Sequence, residues 1–492
     1  MITVIKRNEA LVTLDCEDQG VLMEISDHYT FFVPGYKFMP AFRNKFWDGK
    51  IRLFNSRNQT LPHGLVKNLQ RFAGSRGYKI KAGDGIFPVP PNDTVLAEFI
   101  RKLKIPFPIR DYQLTGWHHA LRNQRAILVS PTGSGKSLII YMLMRYYFDN
   151  HSKKVLIIVP TTSLVEQLHK DFKDYSKGNG FPVDDHVHRI YSGKERVNFK
   201  SRVVITTWQS AIRCPADWFS QFGMVIGDEA HTFKAKSLNT IMERLENASY
   251  RIGTTGTLDG TKVHELVLTG HFGDALNVTS TKELIENKTL ADLSIQCLVL
   301  KYSPAVRKSF GKKTYQEEID FIVTNQRRLA FTRNVALSQK GNTLVLYNLV
   351  EKHGKPLYEA IKAAASDEDR EVYFVSGAVS ADQRELVREL TEKDHNAIIV
   401  ASMGTFSTGI NIKNLHNIIF AAPTKSQIRV LQSIGRGLRR PEDGKPTTVY
   451  DISDDLGWKR RVNYTKNHAI ERVKIYESQE FDFKILEVPL KD

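Results

Sequence analysis

Ala126-Ile127-Leu128-Val129-Ser130-Pro131-Thr132-Gly133-Ser134-Gly135-Lys136-Ser137 runs directly into an apolar helical stretch, Leu138–Tyr147. A short aliphatic strand, a glycine-rich turn and a helix in that order build a phosphate cradle. The glycines let successive backbone N–H groups turn inward, and the helix N-terminus adds partial positive charge. Thr132, Gly133, Ser134 and Gly135 form the cradle, Lys136 reaches the β- and γ-phosphates, and the Ser137 hydroxyl is placed for Mg²⁺. Ser130 stands where the common pattern has its first Gly. A glycine turn that binds no nucleotide is the alternative, and the strand and helix on either side argue against it. ATP and Mg²⁺ are the cofactors this stretch implies.

Apolar, β-branched runs recur on both sides of this loop. One series reads Ala126–Val129, Val155–Val159, Val203–Thr206, Met224–Ile226 and Tyr250–Ile252. A second reads Thr343–Tyr347, Val372–Val375, Ala397–Val400, Asn417–Ala421 and Thr447–Tyr450. Strands of this kind separated by helical patterns predict parallel sheets covered on both faces, and two series predict two α/β domains in tandem. The region 271–300 reads as the connection between them. The strands are expected to stop beyond Asp451, where Ala469, Ile470, Val473 and Tyr476 fall at helical spacing and predict a helical tail. Gly83–Asp93 carries the prolines and glycines of a linker, and Asp93 could cap a short helix running to Lys104. The domain limits that follow are 1–90, 91–275, 276–455 and 456–492.

A phosphate loop needs an acidic partner at the end of a neighbouring strand, and Met224-Val225-Ile226-Gly227-Asp228-Glu229 supplies it. Asp228 is suited to hold Mg²⁺ through water and Glu229 to polarise the attacking water as general base. The second α/β series has no phosphate loop but carries Gln432-Ser433-Ile434-Gly435-Arg436-Gly437-Leu438-Arg439. An arginine brought in from a second domain stabilises charge spread over a transferring phosphoryl group, with Arg439 the first choice and Arg436 the second. The alternative for this cluster is a surface that binds nucleic acid without sequence preference.

The chain has 492 residues, 41% hydrophobic and 25% charged, which is ordinary globular composition and too long for one core. No apolar run approaches the roughly 18–20 residues of a membrane helix, and the N-terminus lacks the pattern of a secretory signal. Cys16, Cys214 and Cys297 lie far apart, which excludes a disulfide framework and suits a reducing cytoplasm. The net charge of +16 is unevenly spread: residues 31–92 hold eleven Lys and Arg against two Asp. That excess suggests a polyanionic partner held by residues 1–90. Lys37, Arg43, Lys45, Lys50 and Arg52 are the cations that would neutralise phosphates, and Tyr36, Phe38, Phe42, Phe46 and Trp47 suit either base stacking or a small core. Trp458-Lys459-Arg460-Arg461 is a further basic stretch, suited equally to phosphate contact and to a solvated helix start.

Taken in order, these motifs resemble those of the superfamily 2 helicases and translocases over roughly residues 105–455. Arg110-Asp111-Tyr112-Gln113 resembles the adenine-reading element, with Arg110 and Gln113 at the base. Pro160-Thr161-Thr162 and Thr206-Thr207-Trp208 resemble the strand-contacting motifs, which puts Thr161, Thr207 and Trp208 against nucleic acid. Asp228-Glu229-Ala230-His231 spells the second motif, and Gly253-Thr254-Thr255-Gly256-Thr257 stands at the coupling motif. Ser402–Ile410 resembles the fifth motif, implying nucleic-acid contact at Thr405 and nucleotide contact at Gly409; Gln432–Arg439 resembles the sixth, with Gln432 at the nucleotide. Pro34-Gly35-Tyr36-Lys37-Phe38 and Phe46-Trp47-Asp48-Gly49-Lys50-Ile51-Arg52-Leu53 are similar to the N-terminal module of the phage recombination helicases of the UvsW type.

The resemblance implies an α/β protein of two RecA-like domains behind a small basic α+β module, with a helical C-terminal extension. It implies ATP-dependent remodelling of branched or forked DNA, including branch migration, fork regression and R-loop dissociation, in phage recombination, repair and replication. RNA–DNA hybrids, single-strand-binding protein and other recombination proteins follow as possible partners, no membrane does, and the host cytoplasm is the expected location. The alternatives are an RNA-remodelling helicase or the motor of a restriction system.

Overall fold

A strand that is apolar on both faces must be covered on both, and parallel pairing between helix layers achieves this. The computed structural model describes residues 1–490 except 192–199, 235, 259, 366–369, 378–385, 388, 392, 410–413, 424–425, 427–429, 432, 436–437 and 439–443. Two compact units result: Met1–Ser130 with Gly135–Val278, and Thr279–Asp492 grouped with the loop residues Pro131–Ser134.

The first unit opens with a small module. Strands β1 (Ile2–Lys6), β2 (Leu11–Asp15), β5 (Thr60–Pro62) and β6 (Ile80–Ala82) form a sheet in the order β5-β2-β1-β6, while β3 (Thr30–Phe32) and β4 (Lys50–Arg52) pair separately as an antiparallel ribbon. Alternation drives the sheet: Ile2 and Val4 are buried, as are Val12 and Leu14. They pack with Ile25 of the helix Gln19–His28 and Leu69 of the helix Val66–Arg76. Asp18 accepts from the Gly20 amide at 2.8 Å and starts the first helix; Gly77, at φ 73°, ends the second.

Next come β7 (Arg125–Val129), β8 (Lys154–Val159), β9 (Val187–Ile190), β10 (Val203–Thr207), β11 (Phe222–Asp228), β12 (Tyr250–Thr255) and β13 (Ala275–Asn277). All pair in parallel, in the order β13-β7-β12-β11-β8-β10-β9. The helix before them, Asp93–Leu103, is capped by Asn92, whose side chain accepts from the Thr94 amide, so Asp93 is the first helical residue and not the cap.

The module is fixed to the seven-stranded sheet by a buried polar contact. Arg125 of β7 donates to the Glu9 carboxylate at 2.9 Å and to His63 Nδ1 at 3.1 Å. His63 Nε2 in turn donates to the Ile86 carbonyl at 2.9 Å, so the ring is neutral, and burial followed by the Arg125 charge pushes its pKa down to about 3. Gly64 lies so close to the Thr269 carbonyl that a Cβ would sit 2.0 Å from its oxygen.

The second unit holds β14 (Leu293–Lys301), β15 (Thr343–Tyr347), β16 (Val372–Val375), β17 (Ile398–Ser402), β18 (Asn417–Phe420), β19 (Thr447–Asp455) and β20 (Phe483–Pro489), again all parallel, in the order β16-β17-β15-β18-β19-β14-β20. The region 271–300 is therefore more than a connection, because β13 and β14 each add a strand to one sheet. The tail contains its expected helix, Tyr464–Ser478, but strands do not stop at Asp451: β19 runs on to Asp455 and β20 closes the sheet edge. Of the four expected inward positions Tyr476 is buried and Ala469 and Val473 are half-buried, but Ile470 is exposed, while Arg472 and Ile475 are buried. Arg472 forms a bidentate pair with Asp451 of β19 at 2.6 and 2.8 Å, and Tyr476 donates to the same carboxylate at 2.9 Å. Buried charge is tolerated there because it is paired and hydrogen-bonded.

Three buried histidines set a pH limit. Burial, followed by a nearby arginine charge, pushes His63, His271 and His353 down to about 3. Between pH 6.5 and 3 the unfolded chain binds a proton at each ring and the folded chain does not, so stability is complete above that window and lost as pH falls through it. Each ring then costs on the order of 1 kcal/mol per pH unit. The thermal midpoint should fall steadily below pH 6.5, and His271→Asn should make the fall shallower. A midpoint at pH 5 equal to that at pH 7 would contradict it.

Candidate active site and nucleic-acid interface

The phosphate loop lies at the carboxyl edge of β7. Gly133 and Gly135 adopt φ of 87° and 82°, a left-handed backbone that glycine takes without strain, and the helix Lys136–Asn150 begins immediately after. A Cβ at Gly135 would lie 2.5 Å from Gln113 Nε2, so the close approach of Gln113 to the loop requires glycine there. Gln113 is buried, and its Oε1 accepts from the Arg110 amide at 3.0 Å; the Arg110 side chain donates to Tyr112 Oη at 2.9 Å. Lys136 Nζ donates to the Ser130 carbonyl at 3.0 Å, and Ser137 Oγ lies 2.7 Å from Tyr175 Oη.

Strand order brings the acidic pair to this loop. β12 lies between β7 and β11, so Asp228, which ends β11, is two strand spacings from the loop strand, about 10 Å. β12 touches both neighbours through its own residues: Thr254 Oγ1 donates to Asp228 Oδ1 at 2.8 Å, and the Thr255 carbonyl accepts from the Ser130 amide at 2.8 Å. Burial and then the Glu229 charge raise the Asp228 pKa, and Lys136 opposes them. Glu229 sits at φ 51°, a conformation unfavourable for a side-chain-bearing residue and found where function fixes the backbone. Its Oε2 is buried with no hydrogen-bond partner among the described residues, and His231 Nδ1 is 3.4 Å away. That nitrogen lies closer, at 3.0 Å, to Thr255 Oγ1, which itself donates to the Thr257 carbonyl. Oxygen donors such as Ser137 Oγ and the Asp228 carboxylate are the set Mg²⁺ prefers, and a half-buried carboxylate pair beside one lysine fits a dication.

The other candidate positions of this unit lie on the same sheet edge. Thr161 follows β8 and caps the helix Thr162–Ser176, its Oγ1 accepting from the Leu164 amide at 3.4 Å. Thr207 ends β10, paired with β8, and donates to Ser210 Oγ at 3.2 Å. Trp208 follows and packs partly into the apolar layer, so its ring is only half available. In the second unit Thr405 lies in the helix Met403–Gly409 at the end of β17, where it accepts from Ser402 Oγ at 2.6 Å; Gly409 belongs to the same helix. Gln432, Arg436 and Arg439 lie outside the described residues.

The aromatics of the basic module divide into two groups: Phe38 and Phe46 face outward, while Tyr36, Phe42 and Trp47 are half-buried in a small cluster apart from the module's main core. Phe38 is 76% and Phe46 85% exposed. Phe32 and Tyr36 stack at 4.7 Å, Tyr36 meets Phe42 edge-on at 4.8 Å, and Lys50 lies 5.0 Å over the Phe32 ring. Lys37, Arg43 and Lys45 are exposed around them; Trp47 Nε1 donates to the Lys50 carbonyl, and Arg52 is paired with Asp48. Sequence reasoning missed Tyr175 at Ser137, because only the fold places a residue 38 positions away against the loop.

Residues 2–83 match the family described as DNA helicase UvsW, N-terminal; residues 92–260 match type III restriction enzyme, res subunit; residues 327–441 match helicase conserved C-terminal domain. The ATP-dependent DNA helicase uvsW of Enterobacteria phage T4 is 35% identical over 97% of this chain and 98% of its own. The crystal structure of T4 UvsW superposes with a TM-score of 0.52 at 34% identity, covering 100% of both chains. S. cerevisiae Dbp5 bound to RNA and ADP BeF3 shares the fold at a TM-score of 0.53 and 13% identity, over 81% of this chain and 94% of its own. Motif order, paired parallel sheets and near full-length identity agree, and the chain belongs to the UvsW-type ATP-dependent DNA helicases of superfamily 2.

Proposed function

We propose that this helicase remodels branched DNA, driving branch migration, fork regression and R-loop dissociation during phage recombination, repair and replication in the host cytoplasm. The observation that carries the motor chemistry is the convergence of the phosphate loop, Asp228, Glu229 and Gln113 at one edge of a parallel sheet, bridged by Thr254 and Thr255. Gln113 and Arg110 read the base, Thr132 to Gly135 hold the phosphates, Lys136 neutralises them, and Glu229 accepts the proton of the attacking water. Ser137 and Asp228 would hold Mg²⁺, which neutralises phosphate charge when bound. For the second motor domain the family resemblance assigns Arg439, with Arg436 second, to stabilise charge on a transferring phosphoryl group, and Gln432 and Gly409 to nucleotide contact.

The labour divides among a DNA-gripping module over residues 1–90, motor domains over 91–275 and 276–455, and an extension over 456–492. Lys37, Arg43, Lys45, Lys50 and Trp47 grip the branched substrate; Arg52, tied to Asp48, contributes less. Thr161, Thr207, Trp208 and Thr405 follow the strand. Single-strand-binding and other recombination proteins are the partners this role would bring.

ATPase and unwinding measured in parallel on forks, four-way junctions, R-loops and RNA duplexes test the reading. Branched DNA should stimulate turnover most, whereas stimulation by RNA duplexes alone would overturn it. Lys37→Ala/Arg43→Ala/Lys45→Ala should reduce the dependence of junction affinity on salt by about 2–3 in log–log slope, since each phosphate contact contributes about 0.9. An unchanged slope would remove the module from the interface.

A further inference from the structure

In the second unit two basic stretches far apart in sequence meet at one place. Residues 305–315 contain Arg307, Lys308, Lys312 and Lys313, and residues 456–466 contain Lys459, Arg460, Arg461 and Lys466; neither stretch has an acid. Arg461 joins them, donating to the carbonyls of Gly311 and, at 2.8 Å, Lys313, while Arg307 Nε donates to the Gly457 carbonyl at 2.7 Å. Trp458 and Arg461 bridge each other through two backbone hydrogen bonds of 3.1 Å. The basic stretch 458–461 is thus a tight turn and not a helix start, with Lys459 and Arg460 at its tip. Both are exposed, and among the described residues no carboxylate lies within ion-pair distance of either. Lys459 holds φ at 54°, so the turn is fixed in an unfavourable backbone that points two cations outward.

Aromatic rings flank the turn. Tyr315 and Tyr464 are 43% and 42% exposed, with centroids 5.9 Å apart, and the Arg461 guanidinium lies 5.8 Å from the Tyr464 ring. The scaffold beneath is rigid: buried Glu318 accepts from the Tyr464 amide at 3.1 Å and from the Thr465 amide and Asn463 Nδ2 at 2.6 and 2.7 Å. A carboxylate accepting from the first amides of the helix Tyr464–Ser478 orders the turn, and the helix N-terminus favours its charge.

Position says what such a surface meets. Because every strand of this sheet is parallel, the end of β19, which leads into the turn, lies on the same edge as the end of β17, which leads into Thr405. Three strand spacings, about 14 Å, separate the strands, and β19 runs three residues past the level of Ser402, about 10 Å more along the strand direction, so the ends are about 17 Å apart, about five phosphates along one strand of a duplex. We infer that the 458–461 turn, with Lys308, Tyr315 and Tyr464, is a second phosphate-binding surface that extends the nucleic-acid track of this motor domain onto a flanking arm of the substrate. The inference rests on the proposed DNA track at Thr405.

Lys459→Gly/Arg460→Ser tests it, since glycine suits the φ of 54° and removes the charge without disturbing the turn. Affinity for forked DNA should fall about tenfold near 0.15 M salt and the log–log salt slope by about 2, while ATP turnover without DNA stays unchanged. Lys459→Arg/Arg460→Lys should retain wild-type affinity. If wild-type protein binds forked DNA and the Gly/Ser variant matches it in affinity and slope, this surface is wrong and the DNA motor stands. If wild-type protein neither binds DNA nor is stimulated by it, both fall together.

Discussion

Lys136→Ala is expected to lower ATP turnover by about 10³-fold while leaving nucleotide-free DNA affinity within about twofold, because the substitution removes charge from two places at once. Lys136 is the first residue of its helix, held over the loop by a 3.0 Å bond to the Ser130 carbonyl, so its ammonium stands where phosphate charge must be neutralised. It is also the cation that opposes the rise of the Asp228 pKa caused by burial and by Glu229. Without it the acidic pair has one less counter-charge, and the carboxylate takes up a proton at higher pH. The variant should therefore lose turnover at neutral pH and lose whatever residual activity remains more steeply as pH falls. Lys136→Arg restores the charge but not the compact shape of an ammonium inside a glycine loop, and should recover only part of the rate. Steady-state hydrolysis beside fluorescence-detected DNA binding separates the two effects, and a variant with unchanged turnover would displace the site from this loop.

How much of this was legible depends on which force writes each feature into the sequence. The ten strands read from apolar, β-branched runs all appear in the two sheets, nine of them flanked on both sides, where burial favours such residues, and β16 at an edge. The edges follow different rules. β9 reads Val-His-Arg-Ile and β20 reads Phe-Lys-Ile-Leu-Glu-Val-Pro, since an edge strand keeps one side near water and needs no unbroken apolar run. The acidic pair and the glycine loop are legible because a phosphate site demands those residues at fixed backbone positions. Their bridge through Thr254 and Thr255 is spelled in the coupling motif, yet its function as a bridge appears only when β12 is placed between β7 and β11. Buried cations were the least legible. Arg251, whose guanidinium donates to the carbonyls of Met242, Leu245 and Ala248, and Arg472, paired with Asp451, look like surface residues until the fold supplies their partners. One position of the tail helix differs for that reason: hydropathy favours Ile470, which is exposed, whereas the ion pair turns Arg472 inward beside the expected Tyr476.

Glu229→Gln isolates the proton-accepting step from everything that binds nucleotide, and should reduce hydrolysis by about 10²- to 10⁴-fold with ATP affinity nearly unchanged. Gln is isosteric with Glu, so the substitution removes the charge with little change of shape. The acceptor is Oε2, buried and with no hydrogen-bond partner among the described residues, so a lone pair is open to a water that protein donors do not already occupy. An amide nitrogen at that position would present hydrogens where a proton must be received, and it would face the His231 Nδ1 proton at about the present 3.4 Å. The ring then has reason to leave Glu229 entirely to its nearer partner, Thr255 Oγ1 at 3.0 Å, which keeps the β12 bridge intact. Folding stability should consequently move by no more than about 1 kcal/mol, since no buried hydrogen bond is broken. A single-turnover experiment decides it. ATP should bind at the wild-type rate and remain uncleaved, and DNA affinity in the ATP-bound state should be retained for as long as cleavage is blocked. If cleavage stays within tenfold of wild type, Glu229 is a structural neighbour of Asp228, and the base must be sought elsewhere on the carboxyl edge of the sheet.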